Sequence, residues 1–423
     1  MKPWAGRIIL LAVLVYLTRP VGAVEHLSFR GYIKSFSILL IPASAGLESR
    51  TIDEPDLGAV DNRLRLEMAY RPSARISMDI AYDVSPRIQD SRLFGESLFF
   101  PGLTLPEYRL ADFRDTLYPA PGEILKSFAL YHNLDRLSMT IRTNSADFIL
   151  GRQAVAWGSA RVINPTDIIA PFSFNELDKE ERLGVDGIRV RVPLGPLDEL
   201  DLGAIAGRDF APGKSAFFIR GKTHQFETDL SGLLLAFRNH LLIGLDLARA
   251  LGGAGLWAEA AWVVPDALRD NPAGKEKGYG RFSLGLDYSP SRLTYGFIEY
   301  HFSSAGAGRP EDYLDLFSTV PYRDGAVYLL GRHYLNIGTT VQFSPLVPLT
   351  GLVIFNLSDG SLIFAPQIEY NIREDIYLAG GAYLGFGKSP EIIPGSTDSS
   401  PPAFRSEFGA YPDMVFTSFR VYF

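Results

Sequence analysis

Segment after segment of this chain alternates apolar and polar side chains over about ten residues, a pattern that restricts its fold more than any other feature. In DNRLRLEMAYR, Leu64, Leu66, Met68 and Tyr70 share one parity while Arg63, Arg65 and Glu67 share the other. Successive side chains of a strand point to opposite faces, so the two sets lie on opposite sides of one sheet. The split recurs where Ile76, Met78, Ile80 and Tyr82 oppose Asp79 and Asp83, and where Phe282, Leu284, Leu286 and Tyr288 oppose Arg281 and Asp287. It recurs again where Leu335, Ile337, Val341 and Phe343 oppose Asn336 and Gln342. If the apolar row meets lipid, the charges must face inward, because a charge on the lipid side costs roughly 2–4 kcal/mol near the midplane.

Segments of this kind run from 27–39 to 408–423 and number eighteen, or sixteen if two of those between Ala211 and Gly255 are not strands. Short turns such as Arg71-Pro72-Ser73, Asn144-Ser145-Ala146 and Ser289-Pro290-Ser291 alternate with long loops at 85–123, 158–184, 265–277, 304–331 and 387–407. The fold class read from this is all-β, a transmembrane antiparallel β-barrel spanning 24–423. A barrel of that size encloses water rather than a side-chain core.

Both chain ends fit the same reading. Lys2 and Arg7 precede an apolar run from Ile8 to Leu17 and a small-residue site at Val21-Gly22-Ala23. That run is well short of the roughly 20 residues a spanning helix needs, so residues 1–23 read as a cleaved signal peptide. Cleavage removes Lys2, Arg7 and Arg19 and no acid, moving the formal charge from −7 to −10 and excluding a nucleic-acid partner. The absence of cysteine suits passage through an oxidising compartment. At the other end, MVFTSFRVYF places Val415, Phe419, Val421 and the terminal Phe423 on one face. This resembles the closing strand of bacterial outer-membrane barrels, with Phe419, Val421 and Phe423 as the signal read by the insertion machinery. Outer-membrane lipid and that machinery are the partners implied, with self-association left open.

Dense chemistry interrupts the repeat only at 151–192. There Arg152, Arg161, Asp167, Glu176, Asp178, Glu180, Glu181, Arg182, Asp186, Arg189 and Arg191 are too many charges to bury unless they line water or pair with one another. Asn164-Pro165-Thr166-Asp167 reads as a turn or a helix start, and Phe172 and Phe174 as apolar anchors. A loop so built is expected to fold inward and narrow the barrel, with Glu176, Asp178, Glu180 and Glu181 set against the arginines; an outward loop held by salt bridges is the alternative. Gly151-Arg152-Gln153, Gly158, Arg161 and Asp186-Gly187-Ile188-Arg189 together resemble the alginate-export family of outer-membrane porins. That resemblance implies that Arg152, Arg161, Arg189 and Arg191 attract anions.

Signals for chemistry are poor. The six histidines form no metal-ligand spacing, although His301 and His333 flank one loop; no cofactor motif is present. Trp257 and Trp262 read as an interfacial girdle, and Tyr295 and Tyr383 as residues that line a sugar path. The expectation is a porin passing small polar or charged solutes. A barrel that anchors or assembles without transport is the alternative, with a barrel enzyme behind both.

Overall fold

The computed structural model describes residues 26–43, 45–47, 50–52, 55–94, 108–111, 116–120, 123, 126–269, 277–391 and 403–423. The signal peptide expected at 1–23 lies outside them, as do parts of the loops expected at 85–123, 265–277 and 387–407. Eighteen long strands form the wall. They are β1 (Leu27–Ile41), β2 (Leu57–Ser73), β3 (Ile76–Gln89), β4 (Phe128–Arg142), β5 (Asp147–Gln153), β6 (Val185–Pro193), β7 (Glu199–Ile205), β8 (Ala216–Gln225) and β9 (Thr228–Phe237). The second half comprises β10 (His240–Leu251), β11 (Ala254–Val264), β12 (Tyr279–Ser291), β13 (Thr294–Ser303), β14 (His333–Ser344), β15 (Val347–Asn356), β16 (Leu362–Arg373), β17 (Ile376–Phe386) and β18 (Asp413–Tyr422). The 304–332 loop adds the short helices α1 (Tyr313–Leu316) and α2 (Val320–Asp324).

Each strand pairs antiparallel with the next, and β18 closes on β1 from Tyr32↔Tyr422 to Ile41↔Asp413. Closure satisfies the backbone groups that an open edge would leave bare in lipid. The seam ends on the last residue: the Gly31 amide donates to the Phe423 carbonyl at 2.8 Å, and the Phe423 amide donates back at 2.9 Å. A side chain at Gly31 would meet the Phe423 ring within 3 Å and the Arg65 carbonyl at 2.4 Å, so glycine is required for this contact. Near both chain ends the connections are short, including the two-residue turns 226–227 and 252–253, whereas the long loops gather at the opposite end.

The alternation sorts as the physics requires. Leu66, Met78, Ile243, Leu245, Leu284, Leu286, Ile337, Val415 and Phe419 are exposed on the outer face. Lys34, Arg65, Asp83, Glu259, Glu299 and Asn336 are buried on the inner one. Trp262 lies outward and 52% exposed, but Trp257 has the opposite parity, is 2% exposed and donates its indole N–H to Glu299, so it belongs to the interior and not to a girdle.

A second correction concerns the lumen. The interior is not merely water behind charged walls, because towards the loop end it holds an apolar core. Val155, Trp157, Ile168 and Ile169 from the 154–184 loop pack there with Phe218, Leu235, Leu242 and Val263 of the wall and with Val327 of the 304–332 loop. These wall residues are inward positions without charge, so loops cover them rather than water.

Wall height varies. β1–β4 run 14–17 residues, whereas β5 and β7 have seven each. A tilted strand needs about 9–11 residues to cross a bilayer, so the loop-end rim is low at β5–β7. The 154–184 loop leaves the wall at this low point.

Candidate functional site

The chain departs from β5 through two glycines whose backbone other residues rarely adopt. Gly151 has φ +100° and Gly158 φ +102°, and a Cβ on Gly158 would stand 2.6 Å from a Glu259 carboxylate oxygen. Between them Val155 and Trp157 turn into the interior, where Trp157 meets Phe218 edge-on with centroids 4.7 Å apart.

Two buried carboxylates on the far wall then seize the loop by its backbone. Glu259 of β11 accepts the amides of Ser159 and Ala160, each at 3.1 Å, and both the amide and the hydroxyl of Thr166 at 2.7 Å. Glu299 of β13 accepts the amides of Arg161, Val162 and Ile163 at 2.7, 3.2 and 3.3 Å. Charge-assisted bonds of this kind are short and strong, and they leave few loop amides unpartnered inside the barrel.

The second half of the loop returns to the opposite wall with its carboxylates leading. Phe174 stacks on Tyr411 and packs against Tyr328 and Phe408. Asp178 and Glu180 accept from the buried Lys34 ammonium at 2.8 and 2.6 Å, and Asp178 also accepts from Arg63 at 2.9 Å. Glu181 lies 3.5 Å from both Arg65 and Arg136. A bulge assists here: the β3–β4 register jumps from Ala81↔Arg136 to Tyr82↔Leu134, and the extra residue Asp135 reaches Arg65 at 2.9 Å. The loop therefore spans the interior from one wall to the other.

What remains on the loop's concave side is mainly basic. A cavity of about 310 Å³ is lined by Arg161, Lys179, Arg182 and Arg281, with Asp167 as its one carboxylate. Arg182 pairs with Asp167 and lies 4.4 Å from the Phe172 ring centre; Arg161 lies over Trp257 and reaches Asp287 of β12 at 3.1 Å. Burial pushes the Asp167 carboxyl up to about 6 against the pull of Arg182.

The structure thus separates the residues that sequence grouped together. Arg161, Asp167 and Arg182 meet at the cavity, and Phe172 lines it. Asp178, Glu180 and Glu181 do not face Arg152, Arg189 or Arg191; they are tied to β1, β2 and β4. Glu176 is exposed near Lys179. Arg152 is buried in a pair with Asp186, on the parity of the outward row, with further bonds to the carbonyls of Leu134 and Ala111. Arg189 points inward but is held bidentately by Asp201 at 2.8 and 2.6 Å. Arg191, in register with Asp147 and Asp201, makes no ion pair among the described residues. His301 and His333 do not converge: His301 faces inward to Ser283, whereas His333 bonds Tyr300 on the outward parity. Tyr295 and Tyr383 both have inward parity, and the Tyr295 hydroxyl donates to Asp287 at 3.1 Å. Sequence reasoning missed Glu259 and Glu299. Their signal was a lone acid at an inward position within apolar runs, LWAEAAW and YGFIEYHF.

No protein-family model matches the sequence, and no curated protein matches it. Solved structures do. OccAB2 of Acinetobacter baumannii is 8% identical with TM-score 0.55, over 95% of this chain and 98% of that one. OprD of Pseudomonas aeruginosa is 9% identical with TM-score 0.53, over 96% and 95%. OpdK of Pseudomonas aeruginosa, crystallised with vanillate, is 10% identical with TM-score 0.52, over 95% and 100%. The likeness to alginate-export porins gains no support from these comparisons, and its marker residues Arg152, Gly158 and Asp186 have structural work to do here. Nearly the full length of each neighbour is matched, so the fold of this chain is that of the eighteen-stranded outer-membrane porins.

Proposed function

We propose that this barrel is an outer-membrane channel for small anionic solutes, and that the 154–184 loop forms its selective constriction. The observation that carries this is the division of charge along the loop. Its acids Asp178, Glu180 and Glu181 are consumed by cations of the wall, while Arg161, Lys179, Arg182 and Arg281 surround the cavity. A cluster of fixed cations in a confined passage raises the local concentration of anions. The cavity is of small-molecule size rather than polymer size. Phe172 and Trp157 give it apolar surface beside the cations, which suits a carboxylate attached to a flat apolar body. OpdK was crystallised with vanillate, an aromatic carboxylate.

Reversal potentials in a salt gradient across a planar bilayer test the proposal. Wild type should prefer anions, and Arg161→Gln with Arg182→Gln should move the potential towards cations. The difference should shrink in 1 M salt, where the screening length is about 3 Å. A cation-preferring wild type, or a double variant with unchanged potential, would refute the anion reading. Folded protein that never conducts would favour the anchoring alternative.

A further inference from the structure

At the low rim a second cleft, of about 570 Å³, opens where the 206–215 loop, the Arg238–Asn239 turn, the start of the 265–278 loop and α2 meet. Arg208, Lys214, Arg238, Arg269 and Arg323 line it and, among the described residues, Asp266 and Asp324 are its acids. That local excess of positive charge stands out in a chain whose formal charge is −7. The two acids are occupied in holding the cleft together. Asp324 accepts from Arg238 at 2.8 Å and lies 3.8 Å from the His240 imidazole, while the Asp266 amide donates to the other His240 nitrogen at 2.9 Å. Arg323 and Arg269 touch these acids only at 3.7 and 3.5 Å, and Lys214 meets no carboxylate among the described residues.

The surroundings identify the level of the cleft. Phe217 and Trp262, outward-facing and close to the loop ends of β8 and β11, are 62% and 52% exposed, as aromatic residues are at the boundary of a bilayer. Phe210 and Leu268, 70% and 55% exposed, lie in the same two loops as Arg208 and Arg269 of the cleft. Three of the segments that line the cleft contain left-handed residues other than glycine: Asp209 and Phe210, Arg238, and Asp266. Backbone of that kind persists only where the surroundings hold it.

Cations placed just beyond an aromatic boundary lie at headgroup level, and guanidinium and ammonium groups are the natural partners of phosphate. We propose that this cleft binds the phosphate-bearing headgroup of an outer-leaflet glycolipid, whose acyl chains lie along Phe217, Trp262 and Leu268. The proposal rests on the reading of the barrel as an outer-membrane one, and it is independent of the solute that passes.

Native mass spectrometry of the full chain in non-ionic detergent tests it, with three probes: a bisphosphorylated acylated diglucosamine, the same lipid without phosphates, and inorganic phosphate. Wild type should retain the phosphorylated lipid and release the phosphate-free one. Lys214→Gln with Arg269→Gln and Arg323→Gln should bind it about tenfold more weakly or worse, since each surface cation contributes separately to attraction of an anionic lipid. Heat-dependent mobility in detergent gels checks that the variant is folded. Should the triple variant fail to fold, Lys214→Gln alone, which removes no ion pair, still carries a smaller loss. Equal retention of both lipids would show acyl-driven binding and overturn the proposal, as would equal retention by wild type and folded variant. Displacement by equimolar inorganic phosphate would make this a site for soluble anions instead. Failure of the barrel reading itself would appear separately, as a protein that stays soluble without detergent and shows no heat-dependent mobility.

Discussion

Glu259 and Glu299 carry more of the loop's position than any residue of the loop does. Glu259 alone neutralises three backbone amides and a hydroxyl. A buried donor stripped of its partner costs roughly 1–3 kcal/mol. Glu259→Ala is therefore expected to release the 158–166 segment from β11 while the wall, paired through its backbone, persists. Limited proteolysis in detergent checks this: cleavage between Ser159 and Thr166 should appear in the variant and be absent from wild type, with heat-dependent mobility retained. An uncleaved loop in the variant would mean that Glu299 and the apolar core suffice. The inward parity of both acids was legible in the sequence. Their partners on the loop were not, because these lie 93 to 138 residues away and are mostly backbone groups, which carry no sequence signature.

At the scale of elements, loops fill the loop end of the barrel, and one buried node joins three of them. Glu407, fully buried in the 387–412 loop, accepts from the Leu330 amide at 2.9 Å, the Tyr334 hydroxyl at 2.5 Å, Asn356 at 2.8 Å and the Tyr411 hydroxyl at 3.3 Å. Asp359 stands beside it, accepting the Glu407 amide at 2.6 Å, and among the described residues no cation pairs with either acid. Burial pushes the Glu407 carboxyl up to about 7. A carboxyl raised in the folded state favours that state most below its unfolded value of 4.5, and the benefit fades as pH rises through about 7. The loss is on the order of 3 kcal/mol over that span. Exchange protection at Leu330, corrected for intrinsic rates, should fall between pH 5.5 and 8 in wild type and stay level in Glu407→Gln. A wild-type profile as flat as the variant's would contradict this. Sequence read Phe174 as an anchor, and in the structure it packs against Tyr328, Phe408 and Tyr411. It misjudged the loop acids, since opposed charge rows within one stretch look complementary, whereas Lys34, Arg63 and Arg65 from β1 and β2 reach them first.

For the whole molecule the legible part was the wall. Period-two alternation survives any loop, so eighteen strands and their inward charges could be read from the sequence, whereas the Gly31–Phe423 seam at which the last strand ends could not. The filled half of the interior could not be read. Apolar inward residues such as Phe218, Leu235 and Val263 look like strand noise until the loops that cover them are in place. The central claim is that the loop crossing this interior lines the path taken by solutes. Because the chain contains no cysteine, one introduced thiol reports on it cleanly. Single-channel current should be recorded through Arg161→Cys before and after a bulky thiol reagent, with Phe226→Cys, in a turn at the other end and 88% exposed, as the control. The account predicts a large, lasting fall in current on modification at 161 and none at 226. A current unchanged at 161, with the mass of the protein showing that the thiol had reacted, would place the conduction path elsewhere and contradict it.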